Sequence, residues 1–200
     1  MITVLGIGPG KESLRLSGTE KYLQQAEQIV GSVRQLDTLN VPDDKRIPLP
    51  ALSVLETFLK QNLTRNITIL ASGDPLQYGI GNWVVKRFPA NQVKVIPGIS
   101  SIQYCFHQFR LSMNEVFITS SHGRKPDFDF LLQHRIVGMV TDKEIGPYEI
   151  AQAVKARGLK RKIYIGEHLS YSDEKLSIRT EETVEKRPYE LNVVIIEDEG

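Results

Sequence analysis

The chain alternates short runs of β-branched and aliphatic residues with segments whose apolar residues recur at helical spacing. In the first half, the apolar runs predict strands at Ile2–Ile7, Ile67–Ala71 and Val93–Ile96. Ser17-Gly-Thr-Glu20 has the capping-box pattern and predicts the start of the first helix. Further helices are predicted on three sets of residues: Leu52, Leu55, Leu59 and Leu63; Ile80, Trp83 and Val84; Ile99, Ile102, Phe106 and Phe109.

The second half of the chain keeps this alternation at first and then loses it. Its apolar runs predict five strands: Glu115–Thr119, Ile136–Thr141, Ile163–Gly166, Lys175–Thr180 and Leu191–Ile196. Pro147 and Gly158 delimit a helix, because proline is tolerated in the first helical turn and glycine commonly follows the last. Helical spacing is absent after Gly166, so the last strands are expected to pair antiparallel and to make the second sheet mixed.

These patterns predict an α/β protein of two domains, because strands that alternate with helices form parallel sheets covered by those helices. The N-terminal domain, residues 1–110, is expected to hold a mainly parallel sheet. The C-terminal domain, residues 115–200, is expected to hold a mixed sheet. The boundary is placed near Arg110–Asn114, and an active-site cleft is expected between the domains.

Residues with special backbone or chemical properties collect directly after the predicted strands. Six loops do so: Gly6–Gly10, Ser72–Pro75, Pro97–Ser101, Ser120–Arg124, Thr141–Glu144 and Gly166–Asp173. Glycine and proline in such loops allow left-handed backbone and a close approach of the chain to a ligand. Because α/β proteins bind ligands outside the carboxyl ends of parallel strands, a small molecule held between the domains is expected.

The first two loops leave their roles open. A dinucleotide-binding loop would need a third glycine where Lys11 stands, and a P-loop would need Ser or Thr where Glu12 follows. Asp74 either caps the next helix, expected to resume near Tyr78, or presents its carboxylate to a polar ligand.

The loop Ser120–Arg124 offers charged side chains. Arg124 suits recognition of a carboxylate, because a guanidinium donates two parallel hydrogen bonds. His122 beside it is either structural or catalytic. The other histidines do not pair at metal-ligand spacing, so no metal site is expected. Cys105, the one cysteine, lies in an apolar stretch and is expected to be a buried core thiol.

Composition excludes several classes of protein. The chain has 200 residues, of which 40% are hydrophobic and 24% charged, which is ordinary for a soluble fold. A net charge of +1 gives no global field for nonspecific nucleic-acid binding. Apolar runs fall short of the roughly 18 residues that a membrane span needs, and the amino terminus lacks the basic segment of a signal peptide. We therefore expect a cytoplasmic protein that binds neither nucleic acid nor membrane.

Taken in order, the loops Gly6-Ile-Gly-Pro-Gly10, Ser72-Gly-Asp-Pro75 with Gly79, and Pro97-Gly-Ile-Ser-Ser101 resemble those of the tetrapyrrole methylases. The resemblance extends over essentially the full length and implies a two-domain α/β fold with S-adenosylmethionine as cofactor. Ser120–Arg124 and Glu167–Glu174 look like the branch that methylates carbon 5 of cobalt-precorrin-7 in cobalamin biosynthesis. In some relatives this domain is fused to a second methyltransferase, so a separate protein is expected to methylate carbon 15 and remove a carboxylate.

The resemblance also implies a set of site residues. Cofactor contacts carried over by position are Pro9, Ser72, Gly73, Asp74, Gln77, Ser100, Ser101, Thr141 and Leu169, several of them through backbone atoms. The candidate catalytic residues are Asp74, His122 and Arg124. Asp74 is expected to orient the cofactor, and Arg124, with Arg110 or Lys125, to bind the acetate and propionate arms of a cobalt-precorrin or precorrin.

The family leads us to expect a homodimer. Two alternatives to the carbon-5 methylase stay open at this point. One is another methylase of the same superfamily, acting on a different precorrin carbon or on RNA ribose. The other is a non-catalytic module that binds S-adenosylmethionine.

Overall fold

A computed structural model describes residues 1–199, which divide into two compact units. The first unit comprises Met1–Ser100 and the second begins at Ser101. Each contains one five-stranded sheet. The predicted α/β fold class, with a parallel sheet in the first half and a mixed sheet in the second, is therefore confirmed.

The sheet of the first unit is parallel throughout, in the order β3-β2-β4-β1-β5. Its strands are β1 (Ile2–Gly6), β2 (Gln28–Gly31), β3 (Arg46–Pro48), β4 (Ile67–Ala71) and β5 (Val93–Ile96). Its helices are α1 (Thr19–Gln25), α2 (Val33–Thr38), α3 (Leu52–Gln61) and α4 (Gly81–Val85), with 3-10 turns at Glu12–Leu14 and Ala90–Gln92.

Both faces of this first sheet are covered. Val4 and Leu5 are consecutive on β1 and point to opposite faces, and each belongs to a separate cluster of buried apolar residues. All residues of β1 and β4 are buried, as expected for the central strands of a parallel sheet. The carboxyl ends of β4, β1 and β5 therefore lie side by side on a rigid support.

The sheet of the second unit is mixed, in the order β6-β7-β10-β8-β9. Its elements are α5 (Ser101–Phe109), β6 (Phe117–Ser120), α6 (Phe128–Leu131), β7 (Ile136–Val140), α7 (Pro147–Lys155), β8 (Arg161–Glu167), β9 (Lys175–Thr180) and β10 (Asn192–Asp198). Only β6 and β7 pair parallel; β10 lies antiparallel between β7 and β8, and β9 is added antiparallel to β8.

The division between the units falls one helix earlier than the boundary expected near Arg110–Asn114. The physical reason is the packing of α5 on the second sheet. A Cβ atom on Gly138 of β7 would lie 2.9 Å from side-chain atoms of both Ile102 and Phe106. The glycine thus lets α5 approach the strand closely, and the helix belongs to the second unit.

Two predictions about helix starts are wrong. Helix α1 is preceded by Gly18 with no side-chain cap, because Ser17 and Gly18 lie in a turn closed by the Thr19 N–H and the Leu16 carbonyl. The helix predicted to resume near Tyr78 begins only at Gly81, and Tyr78 itself has a left-handed backbone with φ of 57°.

Among the helices within residues 1–199, none combines the length and the apolar character needed to cross a membrane.

Candidate functional site

The three strand-end loops of the first unit are in direct backbone contact. Gly73 N–H donates to the Gly8 carbonyl at 2.8 Å, and Gly8 N–H donates back at 3.4 Å, which joins the loops after β1 and β4. A Cβ on Gly98 would lie 2.2 Å from the Gly73 carbonyl oxygen, and one on Gly6 would lie 2.6 Å from the Gly98 nitrogen. Glycine is therefore required where the three loops meet.

Asp74 connects two of these loops through its carboxylate. Oδ1 accepts the N–H groups of Leu76 at 2.8 Å and Gln77 at 3.2 Å, within its own turn. Oδ2 accepts the N–H of Gly98 at 3.3 Å, in the loop after β5. Three backbone donors thus face this carboxylate, which holds the two loops together. The next helix begins only at Gly81 with no side-chain cap, so Asp74 does not cap it.

The remaining predicted residues of the first unit lie around this junction. Pro9 is half-buried between Gly8 and Gly10, both of which have positive φ. Ser72 is exposed directly after β4, and its Oγ accepts a hydrogen bond from Gln35 Nε2 at 2.9 Å. Gln35 was not singled out from the sequence. Ser100 is buried at the end of this unit.

A cavity of about 530 Å³ lies at the carboxyl ends of β6 and β7 in the second unit. It is lined by His122 and Gly123 after β6, Thr141 and Asp142 after β7, and Tyr189 and Asn192 at the approach to β10. This volume falls within the about 300–1,000 Å³ typical of small-molecule pockets.

Two polar side chains that line this cavity are joined by a hydrogen bond. Thr141 Oγ1 donates to Asn192 Oδ1 at 2.6 Å, and Asn192 Nδ2 donates to the Glu190 carbonyl at 2.7 Å. Both side chains are buried, so these bonds fix the wall at the start of β10. Thr141 was expected at the site, whereas Asn192 was not, because one asparagine at the start of a strand carries no sequence signal.

Asp142 joins the two loops on the other side of the cavity. Its carboxylate accepts N–H groups from Ile145 and Glu144, each at 2.9 Å, and from Gly123 at 3.2 Å. The bond from Ile145, then those from Glu144 and Gly123 and the nearby charge of His122, hold the pKa of Asp142 below its ordinary value. Asp142 was missed as a site residue, although it follows its strand as Asp74 follows β4.

The loop after β8 is strained and tightly held. His168 and Ser170 have positive φ of 46° and 68°, conformations that side-chain-bearing residues rarely adopt. The Glu174 carboxylate accepts the Ser170 N–H. Burial and a hydrogen bond to Glu174 raise the pKa of Tyr104 to about 12.

Leu169, an expected cofactor contact, has a side chain that packs inward. It is 6% exposed, and a Cβ on Gly166 would lie 2.6 Å from its Cδ2 atom. Any contact of Leu169 with a ligand is therefore left to its backbone. Cys105 is fully buried in the same unit, and burial together with the Glu174 charge raises its pKa to about 12. The prediction of a core thiol is confirmed.

A carboxylate at the end of β8 fixes the segment that leads to the cavity wall. Glu167 accepts two hydrogen bonds from the Arg187 guanidinium, one of them at 3.0 Å, and a third from the Glu190 N–H at 3.1 Å. Burial by itself would raise the pKa of Glu167, but Arg187 and the Glu190 N–H hold it below its ordinary value.

The candidate cations lie in exposed positions. His122 contacts the cavity, and its backbone N–H donates to Ser120 Oγ at 3.0 Å. Arg124 and Lys125 follow it on the exposed part of the same loop, and Arg110 is exposed after α5. Of these four residues, only His122 lines the cavity. Within residues 1–199, no cluster of three or more His, Cys, Asp or Glu side chains is arranged to hold a metal ion.

The two sheets with their strand-end loops define an α/β protein of the small-molecule-binding kind. The family model of the tetrapyrrole (corrin/porphyrin) methylases matches residues 1–185, and the chain belongs to that family. It is similar to the protein named cobalt-precorrin-7 C(5)-methyltransferase from Salmonella typhimurium, with 39% identity over 201 residues and complete coverage of both chains.

Solved structures share the fold. The precorrin-6Y methylase of cobalamin biosynthesis from Archaeoglobus fulgidus superposes with a TM-score of 0.80 at 21% identity, covering 100% of this chain and 99% of the other. The uroporphyrin-III C-methyl transferase from Thermus thermophilus, complexed with S-adenyl homocysteine, gives 0.76 at 17% identity, covering 98% and 96%.

Proposed function

We propose that the chain is an S-adenosylmethionine-dependent methyltransferase that methylates carbon 5 of cobalt-precorrin-7 in cobalamin biosynthesis. The observation that carries this proposal is the 39% sequence identity, over the full length of both chains, to a relative named for that reaction. The strand-end loops agree with it, because they offer backbone groups and a cavity to a polar small molecule.

The cofactor fits the residues that are present. The cavity beside Thr141 and Asn192 is large enough for part of a nucleoside, and the close contact at Gly73 and Gly98 holds the loops of the first unit in place beside the exposed Ser72. We propose that the cofactor contacts lie at Pro9, Ser72, Gly73, Asp74, Gln77, Ser100 and Ser101 and, in the second unit, at Thr141 and Leu169.

When bound, S-adenosylmethionine supplies a methyl group on a sulfonium, which needs alignment more than a strong base. Asp74 orients the cofactor indirectly, by holding the loops after β4 and β5 together. Arg124, with Arg110 or Lys125, binds the carboxylate arms of the substrate, and His122 lies where a ligand in the cavity would meet it. Holding two reactants in line is worth up to about 7–11 kcal/mol of the barrier.

We further propose that the protein is cytoplasmic and works as a homodimer, which light scattering on the purified protein tests. Because the Salmonella relative is named for carbon 5 alone, a separate protein is proposed to methylate carbon 15 and remove the carboxylate.

The decisive experiment is incubation with ¹³C-methyl-labelled cofactor and cobalt-precorrin-7, followed by mass spectrometry and NMR. The expected product carries one labelled methyl at carbon 5. Labelling at another carbon would show that the chain belongs to a different branch of the family. Tight cofactor binding without transfer to any precorrin would point to a binding module instead.

A further inference from the structure

The side chain of Gln35 lies between two serines in the first unit. Ser32 N–H donates to Gln35 Oε1 at 2.8 Å, and Gln35 Nε2 donates to Ser72 Oγ at 2.9 Å. An amide accepts only through its oxygen and donates only through its nitrogen. Because a backbone N–H can only donate, the Ser32 bond decides which end of the amide faces Ser72.

This arrangement sets the polarity of the Ser72 hydroxyl. Its oxygen accepts from Gln35 Nε2, so its single proton is not used toward Gln35 and stays available to another acceptor. Ser72 is exposed at the carboxyl end of β4, immediately before Gly73 in the glycine junction. The hydroxyl is therefore available as a hydrogen-bond donor at the exposed carboxyl end of β4.

We propose that Gln35 is a positioning residue that makes the Ser72 hydroxyl a hydrogen-bond donor to a carboxylate of the bound ligand. The inference rests on the proposed function, since both S-adenosylmethionine and the precorrin carry carboxylates. A hydrogen bond to a carboxylate is charge-assisted and is stronger than one between neutral groups. Because the Ser72 proton is not used toward Gln35, the hydroxyl can donate this hydrogen bond without first breaking another one.

The substitution Gln35→Glu tests the polarity without removing the helix cap. Gln35 is the third residue of α2, where its N–H donates to Ser32 Oγ in a capping box. Glutamate serves at this position as well as glutamine does. A carboxylate can only accept, however, so the Ser72 proton would turn toward it and be lost to the ligand.

The measurement is the Kd of S-adenosylhomocysteine by calorimetry for native protein, Gln35→Glu, Ser72→Ala and the double variant. Each single change is expected to weaken binding roughly ten- to a hundredfold, the range for a hydrogen bond to a charged group. In the Ser72→Ala background, Gln35→Glu should lose most of its effect, because it acts through the hydroxyl. An undiminished effect there would mean simple repulsion between charges and would overturn the proposal.

The same variants identify the source of the carboxylate. 5′-Deoxy-5′-methylthioadenosine lacks the amino-acid part of the cofactor, so its affinity should stay constant if Ser72 binds the cofactor carboxylate. If Ser72 binds a substrate arm, the affinity for S-adenosylhomocysteine stays constant while KM for cobalt-precorrin-7 rises at similar kcat. Unchanged values for both ligands would refute the inference.

Gln61→Glu is the matched control. Gln61 is exposed at the last position of α3, and the substitution makes the same change of charge. It should leave both ligands unaffected, and thermal melts should show that Gln35→Glu retains its fold. If native protein neither binds S-adenosylhomocysteine nor transfers methyl, the proposed function fails together with this inference. If native protein binds and transfers methyl, and the Gln35 and Ser72 variants match it both in S-adenosylhomocysteine affinity and in KM for cobalt-precorrin-7, only the inference fails.

Discussion

At the scale of single residues, Asp74 and Asp142 have the same structural role, each in its own unit: their carboxylates accept backbone N–H groups from two loops. Each follows a strand, accepts two N–H groups of its own turn and accepts a third from a neighbouring loop, at Gly98 and Gly123 respectively. Carboxylates suit this role because they accept several hydrogen bonds at once and strengthen each by their charge. Both aspartates therefore shape their sites by positioning backbone.

The substitution Asp74→Asn tests this role. Asparagine keeps one acceptor but places an NH₂ group where the other oxygen faces the Gly98 N–H, so two donors meet. We expect a loss of about 1–3 kcal/mol in the free energy of unfolding by urea, together with weaker binding of S-adenosylhomocysteine. Asp43→Asn, at a fully exposed side chain, should change stability by less than about 0.5 kcal/mol. Equal behaviour of the two variants would contradict the role.

The pair of Glu167 and Arg187 gives a prediction with a defined sign. In the native protein the pKa of Glu167 is lowered, so its contribution to stability is present above its unfolded pKa and is lost as pH falls through the folded pKa. In Arg187→Met, burial, the largest influence, is opposed by the Glu190 N–H and the charge of Lys175, and the pKa should rise above its ordinary value. Stability of this variant should then fall as pH rises from about 5 to 7.

The expected loss at neutral pH is about 1–3 kcal/mol, less than for a fully buried pair because the Arg187 side chain is 39% exposed. Urea unfolding across the pH range measures both quantities. Lys155→Met, which removes an exposed ion pair with Glu182, serves as the control and should shift stability little. A parallel pH profile for native protein and Arg187→Met would refute the assignment.

At the scale of elements, the loops after β1, β4 and β5 behave as one structural element because their backbones are in contact. The contact depends on the absence of side chains at Gly6 and Gly98 and on the left-handed backbone of Gly73, whose φ is 65°, and these glycines lie far apart in sequence. Hydrogen bonds between Gly8 and Gly73 and between Asp74 and Gly98 add to it. A substitution that moves one of these loops should therefore also displace the other two.

Gly98→Ala should disturb all three loops, because its Cβ would lie 2.2 Å from the Gly73 carbonyl oxygen and backbone has to move. We expect destabilisation of about 1–3 kcal/mol and a clear loss of affinity for S-adenosylhomocysteine. Gly18→Ala is the matched control, with φ of −75° and open space around the new Cβ. Thermal unfolding and calorimetry compare the two variants, and a harmless Gly98→Ala would exclude the close contact as a determinant of the site.

At the scale of the whole molecule, each unit presents its polar loops at the carboxyl ends of parallel strands. The net charge of +1 provides no overall attraction for an acidic tetrapyrrole. The proposed recognition of carboxylate arms therefore assigns this attraction to local cations, Arg124 and Lys125, which lie in one exposed loop.

Hydrogen exchange tests which strand-end loops a bound ligand protects. Saturating S-adenosylhomocysteine should slow amide exchange at residues 72–79 of the first unit and at residues 189–192 of the second, because ordered contacts reduce local opening. Amides of α3 provide the internal reference and should exchange at the same rate with and without ligand. Unchanged exchange at residues 72–79 would contradict the proposed cofactor contacts in that loop.

The elements that the sequence pattern predicted correctly are those with strong local signals. β1 and β4 are runs of buried residues, β5 is a short apolar run around the exposed Lys94, and α7 begins at Pro147 as expected. β2 and β3 were missed because they have only four and three residues and Pro48 ends the second of them. The capping box was assigned to Ser17, whereas the structure has one at Ser32, where Ser32 and Gln35 fit the same local pattern.

For the site, sequence reasoning found the loops but not how they are held. The glycines were recognised one by one, yet the contact of Gly98 with Gly73 depends on strand order, which sequence spacing does not reveal. Gln35 fits the capping-box pattern with Ser32, but its bond to Ser72 joins it to a residue distant in the chain. Asn192 has no motif of its own and becomes recognisable only through Thr141. The cofactor contacts and catalytic residues carried over by resemblance stay predictions.

The glycine junction has a thermodynamic consequence for whatever small molecule these loops receive. Loops that are separate and mobile must be ordered on association, and that ordering subtracts from affinity. Loops whose backbones already touch at Gly6, Gly73 and Gly98 are preorganised, so little conformational entropy remains to be lost. Ligand capture by this half of the molecule should therefore be fast and close to rigid-body in character, with the free and occupied loops nearly superimposable.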